Sequence, residues 1–400
     1  MTRAVILGGA RTPFGKLNGS LAPMSAVDLG AVAIKAAIAR SCVTAEDASH
    51  VIMGMVLQGG AGQIPSRQAA FKAGLKKTVT SETVNRVCGS GMRAITLAEM
   101  MIRLDEHEVI VAGGMESMTN TPYLIRNARQ GYRMGDGVLE DMMLNDGLMC
   151  ALESCHMGVH GGNVAAEEGV GREAQDAWAL RSHQRYFEAL QRGVFKEEVV
   201  PVEVPARKGT TVVVEDESPR ADTSVEALAK LKPAFDPTST VTAGNAPGIN
   251  DGAAAVIVAS EQWANAHELT PVASILSHAA AAWGPAYLAY TPAMATQLAL
   301  ERAGLTVNDV DVMEINEAFA SVSIISARRL GIDLDKVNVN GGAVALGHPI
   351  GASGARITIS LMNQLRRQGG GIGVAAICSG GGQGDAIVIE VAGPKHASRQ

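Results

Sequence analysis

Apolar residues along this chain follow two rhythms. Short unbroken runs recur: Val5-Ile6-Leu7, Val51-Ile52-Met53, Val109-Ile110-Val111-Ala112, Ala254-Ala255-Val256-Ile257-Val258, Ile372 to Ile377 and Ala386-Ile387-Val388-Ile389. Runs that short, bounded by turn residues, predict strands buried on both faces. Between them apolar positions recur at helical spacing. Met92, Ile95 and Ile102 make one face of a segment whose Arg93, Thr96, Glu99 and Arg103 make a polar stripe. An alanine-rich helix running to Arg40 starts with Ser25 and Asp28 in a capping-box arrangement. Another spans Arg172 to Gln191, and Thr44-Ala45-Glu46-Asp47 reads as a further helix start.

The order of these signals repeats. Thr44 to Asp47 and the strand near Val51 are matched by Thr306-Val307-Asn308-Asp309 and the strand Val310 to Ile315. Cys88-Gly89-Ser90-Gly91 opens a helix leading to the Val109 strand and Gly113-Gly114. Gly351-Ala352-Ser353-Gly354 opens a helix leading to the Ile372 strand and Gly380-Gly381-Gly382. Duplicated βαβ-type halves are the simplest account. In the second half the strand turns at once and returns as 386–389. In the first half its counterpart returns only at 254–258, so roughly 120–249 interrupt a hairpin. A stretch that long requires structure of its own. The expected divisions are a first core half (1–119 with 250–270), an inserted lobe (120–249), a second core half (271–393) and a polar tail (394–400).

Composition narrows the functional classes. An apolar fraction of 47% with 45 glycines fits an α/β chain with many tight turns, and a net charge of -6 offers no general attraction to nucleic acid or anionic membrane. Five cysteines without paired spacing argue against a disulfide framework and for a reducing compartment, so the expectation is cytoplasmic. The N-terminal apolar stretch is too short for a signal peptide, and no run approaches membrane-spanning length.

Four positions carry candidate chemistry. Cys88 stands directly before a helix, where the dipole favours thiolate; a buried structural cysteine is the competing reading. His348 sits in a glycine-rich turn before another helix, placed to take a proton from a thiol. Cys378 ends a buried strand beside the exposed backbone of Ser379-Gly380-Gly381-Gly382, suited to acid/base work or an oxyanion site. Asn316 follows a strand end, where its amide can hold a water or polarise an oxygen. The glycine stretches lack a dinucleotide fingerprint, and metal-ligand spacings are missing.

The motifs that contain these positions are Asn85-Arg86-Val87-Cys88-Gly89-Ser90-Gly91, Gly113-Gly114-Met115-Glu116-Ser117-Met118, Gly244-Asn245-Ala246, Asn316-Glu317-Ala318-Phe319, Gly347-His348-Pro349-Ile350-Gly351-Ala352-Ser353-Gly354 and Cys378-Ser379-Gly380-Gly381-Gly382. Together, in this order from Val5 to Val391, they resemble the thiolase family, and within it the acetoacetyl-CoA thiolases. The resemblance implies duplicated βαβαβ halves in a layered α-β-α-β-α arrangement with an inserted loop domain. It implies an acyltransferase that condenses two acetyl-CoA to acetoacetyl-CoA and CoA, or runs the reverse thiolysis, by ping-pong chemistry through acylated Cys88. His348 then activates Cys88, Asn316 holds a water in one oxyanion hole, Cys378 moves the Cα proton, and the N–H groups of Cys88 and Gly380 form the other hole. Arg220 lies near the adenine and phosphates of coenzyme A, His156 and Met157 near the thioester, and Ala243, Gly248, Ala318 and Phe319 along the pantetheine. No prosthetic cofactor or metal is implied, since coenzyme A thioesters are substrates. Acyl-CoA and CoA are the expected partners, with no nucleic acid or membrane. The loop from Tyr123 to Arg133 resembles the family's tetramer-forming hairpin, so a homotetramer, or else a homodimer, is expected.

The chain also departs from the family. Pro247 and Ala227 replace common serines, Leu288 a common methionine, and Val159-His160-Gly161-Gly162 follow Met157-Gly158 where Thr-Thr-Ala-Glu is usual. These changes bear on chain length and coenzyme A affinity. The alternatives are a longer-chain 3-ketoacyl-CoA thiolase, a carrier-protein ketosynthase and a non-catalytic acyl-CoA-binding protein. A ketosynthase would carry a second histidine in place of the Asn316 motif and no large insertion.

Overall fold

The computed structural model describes residues 2–393; the polar tail expected at 394–400 lies outside the described residues. The first half runs β1 (Ala4–Arg11), β2 (Gly15–Lys16), α1 (Ala26–Arg40), β3 (His50–Gly54), α2 (Pro65–Lys72), β4 (Thr80–Val84), α3 (Ser90–Arg103) and β5 (Val109–Ser117). The intervening lobe holds β6 (Tyr123–Leu124), β7 (Glu140–Asp141), β8 (Met149–Cys150), β9 (Cys155–His156), α4 (Met157–Glu167), α5 (Arg172–Gln191), β10 (Val202–Pro205), β11 (Thr210–Val213) and α6 (Val225–Ala229). β12 (Asn250–Ser260) and α7 (Glu261–Ala266) follow. The second half runs β13 (Ala273–Ala282), α8 (Thr291–Arg302), β14 (Val312–Ile315), α9 (Ala320–Leu330), α10 (Ala343–Leu346), α11 (Ser353–Arg367), β15 (Gly371–Ser379) and β16 (Gln383–Val391).

Strand order is β14-β15-β16-β13-β1-β12-β5-β3-β4. Each half repeats one pairing scheme. β3 lies parallel to β5, which is antiparallel to β12, itself antiparallel to β1. β14 lies parallel to β15, which is antiparallel to β16, itself antiparallel to β13. The halves join where Val5 faces Ser274 and Ile6 faces Ala273, a pairing that a local two-fold axis exchanges. Even the flanking position recurs: Val337 bridges Met313 in parallel where β4 flanks β3.

The uninterrupted apolar runs are explained by coverage on both faces. Val109, Val111 and Met115 of β5 pack with Ala33 and Ile34 of α1, whereas Ile110 and Ala112 pack with Ile95 of α3 and Ile357 of α11. On β15, Val374 and Ala376 pack with Ala295 of α8 and Val322 of α9, while Ala375 and Ile377 join the layer of α3 and α11. The result is α-β-α-β-α, with α3 and α11 at the centre. These two helices cross almost backbone to backbone: a Cβ at Gly354 would meet Met92 N at 2.4 Å, and one at Gly91 would meet Ala355 N at 2.9 Å. Only glycine permits that approach.

Two sequence expectations change. No helix follows Thr44; its N–H and hydroxyl both donate to Asp47, at 2.6 and 2.7 Å, and the turn ends there because β3 begins at His50. Thr306 and Asp309 make the same closure ahead of β14. Thr96 does not belong to a solvent stripe on α3: it is buried and donates to the Arg93 carbonyl. A fully buried Arg11 fastens the lobe to β1, donating to Glu198 at 2.8 Å and to both oxygens of Asp216 at 2.7 and 3.0 Å. Charges that deep persist only when paired in this manner.

Candidate active site

The Cys88 loop is held under strain. Val87, a β-branched residue, takes φ +43° immediately before the cysteine, a conformation that persists only where the surroundings fix it. They do so at several points. The Ser90 hydroxyl donates to the Val87 carbonyl at 2.6 Å and accepts from Arg86 N at 2.8 Å. Gly89 N also donates to the Arg86 carbonyl at 3.0 Å. The second half grips the same loop. Arg86 pairs with Asp385 at 2.8 Å, and the Ser379 hydroxyl donates to the Arg86 carbonyl. Thus the β15–β16 turn, with Cys378 and Gly380, is stitched against Cys88.

His348 arrives from the other side, between α10 and α11. Gly347 takes φ +109°, and a Cβ there would strike Asn250 at 2.6 Å. Asn250 accepts from His348 N at 2.9 Å and donates to the Gly15 carbonyl and the Ser218 hydroxyl at 3.0 and 2.9 Å. His348 Nδ1 lies 2.6 Å from Ser353 Oγ, whose proton goes to the Pro349 carbonyl at 2.9 Å. With that proton committed, Nδ1 is the donor, and Nε2 carries the lone pair. Nε2 has no protein partner.

One mainly apolar cavity of about 390 Å³ collects these groups. Cys88, His348, Cys378 and Gly380 line it, together with His156, Met157, Arg220, Ala243, Gly248, Ala318 and Phe319. Pro247 and Leu288, two of the departures, line it too. An adjoining cavity of about 500 Å³ shares Arg220, Ala243 and Gly248 and adds Lys16, His183, Glu217, Ser218 and Thr223, so polar groups are more frequent there. Ala227 lines neither cavity; it lies in α6, where its N–H donates to Ser224.

Asn316 is the exception among the predicted residues. It is wholly buried behind the wall rather than on it. Its amide oxygen lies 3.5 Å from Arg356 Nη2, and Arg356 pairs with Glu314 at 3.2 Å. Asn316 Nδ2 has no protein partner. The neighbouring Glu317 fixes this corner by accepting from Trp178, Ser182, Asn338 and Val344 N, at 2.8 to 3.0 Å.

Electrostatics revise the expected thiolate. Burial pushes the Cys88 thiol up to about 12, and nearby Glu116 adds to the rise; the start of α3 does not outweigh that loss of water. Cys378 is raised well above the ordinary thiol range by burial and then by Cys88, which places the two sulfurs within electrostatic reach. Burial, assisted by Arg356, lowers His348 to about 3. At neutral pH the site therefore rests as two thiols and a neutral imidazole.

Phe235 was not evident from the sequence. It lines the cavity, stacks on His156 with ring centroids 4.1 Å apart, and meets Phe319 edge-on at 6.3 Å. A lone phenylalanine between Pro233 and Pro237 gives no local signal of that role. Among the described residues, no group of His, Cys, Asp and Glu is arranged to hold a metal ion.

Residues 4–262 match the family model described as thiolase, N-terminal domain, and residues 269–391 match thiolase, C-terminal domain. The chain is 51% identical over 391 residues to an acetyl-CoA acetyltransferase of Escherichia coli (strain K12), covering 98% of this chain and 99% of that protein. It is 48% identical to an acetyl-CoA acetyltransferase of Cupriavidus necator, covering 98% and 100%. A crystal structure of the Bacillus anthracis acetyl-CoA acetyltransferase superposes with TM-score 0.95 at 39% identity, covering 98% of this chain and 99% of that one.

Proposed function

The chain belongs to the thiolase family, and on that footing we propose that it is an acetyl-CoA C-acetyltransferase, joining two acetyl-CoA into acetoacetyl-CoA and CoA or cleaving the product with CoA. The observation that carries this reading is the convergence of Cys88, His348, Cys378 and Gly380 on one apolar cavity that adjoins a more polar one.

Cys88 attacks the thioester carbonyl. A thiol near 12 facing an imidazole near 3 does not ionise at rest. Proton transfer to His348 Nε2 therefore accompanies C–S bond formation, as general-base catalysis requires. The N–H groups of Cys88 and Gly380 receive the developing oxyanion, and such donors are worth about 3–4 kcal/mol each in a transition state. In the second half-reaction Cys378 takes the Cα proton of the incoming acetyl-CoA. A thiol held high by burial becomes a strong base once ionised. The enolate oxygen is held by His348 and by a water on the Asn316 amide; the unpartnered Nδ2 supports that assignment. In the first half-reaction the departing coenzyme A thiolate takes the Cys378 proton, which leaves Cys378 ionised for the second. When the enolate attacks acyl-Cys88, the C–S bond breaks and the Cys88 sulfur takes its proton back from His348.

Coenzyme A enters by way of the more polar cavity, with adenine and phosphates near Arg220 and the pantetheine along Ala243, Gly248, Ala318 and Phe319. His156 and Met157 flank the thioester. This chemistry asks for no prosthetic group. We further propose a homotetramer in the cytoplasm. Tyr123, Ile125, Met134, Val138 and Leu139 expose large apolar side chains on and around the β6–β7 hairpin, which supports association there. No helix among the described residues is long and apolar enough to cross a membrane.

The test pairs two variants. Cys88→Ala is expected to abolish acyl transfer, with no acyl-enzyme in the intact mass. Cys378→Ala is expected to retain the acyl adduct while condensation is lost. A Cys88→Ala enzyme that forms acetoacetyl-CoA at the parental rate overturns the reading.

A further inference from the structure

A second pair of sulfurs lies on the hairpin that leads into His156 and Met157. β8 and β9 are antiparallel, and Cys150 stands directly opposite Cys155. Residues so placed share a face, with Cα atoms about 4.5–5.5 Å apart, within the separation that a disulfide spans. Both are free thiols. Cys155 Sγ lies 3.4 Å from His160 Nε2, which lies in turn 3.6 Å from Glu153 Oε2. His160 is buried and belongs to the stretch that departs from the family pattern. Cys155 is partly exposed, so a small oxidant can reach it, and a neighbouring cavity of about 680 Å³ is lined by Cys150, Ser154 and Met157. The condensation chemistry uses none of these four side chains.

A half-buried sulfur 3.4 Å from an imidazole nitrogen, with a carboxylate 3.6 Å from that same nitrogen, places a base beside the thiol and a countercharge beside the imidazolium that forms. We propose that Cys150 and Cys155 form a peroxide-reactive dithiol, with His160 as the base for Cys155 and Cys150 as the resolving thiol. The Cys155 thiol gives its proton to His160 as the sulfur attacks hydrogen peroxide. The S–O bond forms, the O–O bond breaks, and the departing hydroxide takes the proton from His160 as water. Cys150 then attacks the sulfenic sulfur. The S–S bond forms, the S–O bond breaks, and hydroxide leaves with the Cys150 proton as a second water. Two thiols are oxidised by two electrons and one peroxide is reduced. Burial, with Cys150 and Glu153, holds the Cys155 thiol above its ordinary value, which is why the reaction needs the imidazole.

The full-length enzyme is treated with hydrogen peroxide, quenched in denaturant with iodoacetamide and cleaved after Glu153 without reductant. Expected is a Cys150 peptide joined to a Cys155 peptide, lighter by two hydrogens than the reduced pair and appearing before Cys88 loses its alkylation. His160→Gln should slow its formation at least roughly tenfold, given what a positioned base contributes. Cys155→Ser should abolish the cross-link, with acetyl transfer unchanged in the absence of peroxide as the check on folding. Both thiols staying alkylatable while Cys88 oxidises or bridges to Cys378 overturns the proposal, as does a cross-link forming at the parental rate in His160→Gln.

Discussion

Replacing Ser353 with alanine isolates the tautomer argument. Its hydroxyl, fully buried, accepts from His348 Nδ1 at 2.6 Å and donates to the Pro349 carbonyl at 2.9 Å. Alanine removes both bonds and leaves the buried Nδ1–H without a partner, at about 1–3 kcal/mol, while the Pro349 carbonyl keeps the backbone N–H groups of residues 352 and 353, at 3.0 and 3.1 Å. Stability should fall accordingly, measured as a shift in denaturant midpoint. The kinetic effect is separate. With nothing to receive the Nδ1 proton, the imidazole is free to carry it on Nε2, where it cannot accept from Cys88. Turnover in acetoacetyl-CoA thiolysis should drop about 100-fold, the low end of what a positioned base contributes. KM should change little, because the contacts proposed for coenzyme A lie elsewhere along the cavity. Ser353→Thr keeps the hydroxyl and should restore most of the rate. A folded Ser353→Ala enzyme within about twofold of the parental turnover refutes the tautomer assignment.

Three further outcomes follow from the packing. Phe235→Ala should raise KM for acetoacetyl-CoA by roughly 2- to 10-fold, from aromatic contacts worth about 0.5–1.5 kcal/mol with His156 and Phe319, and leave the extent of acylation intact by mass spectrometry. Gly354→Ala should cost more than the roughly 1–3 kcal/mol of ordinary overpacking, because the new methyl meets backbone at 2.4 Å; chemical denaturation measures it. Glu116 is raised to about 7 by burial, so the folded chain binds its proton more tightly than the unfolded chain. Its contribution is complete below the unfolded value near 4.5 and is lost as pH rises to 7, about 3 kcal/mol in all. Glu116→Gln should flatten that part of the stability curve, measured by urea titration at intervals between pH 4.5 and 7.

Motifs that are contiguous in sequence were readable. The Cys88 loop, the His348 turn, the Cys378 strand end and the limits of α5 all follow from local pattern. The duplication was readable too, because each half repeats its turn closures, as Thr44 with Asp47 and Thr306 with Asp309 show. Properties set by distant neighbours were not. Cys88 was expected to lean toward thiolate because its own helix start is visible, while the protein that closes over it is not. Asn316 was expected to hold a water, but nothing local showed that its amide oxygen would turn toward Arg356, forty residues away in sequence, and leave Nδ2 without a protein partner. Thr96 reads as a surface residue beside Arg93 until the second half packs over α3. Phe235 reaches His156 only through the fold of the lobe.

The crossing of α3 and α11 decides how a substrate can come and go. With no side chains between them at Gly91 and Gly354, the halves have no clearance to slide or part like jaws. The sulfur on one and the imidazole from the other therefore keep their separation through every turnover. An acyl group must then come and go through the cavity walled by His156, Met157, Phe235 and Leu288, so bulk beside the thioester is what this architecture turns away.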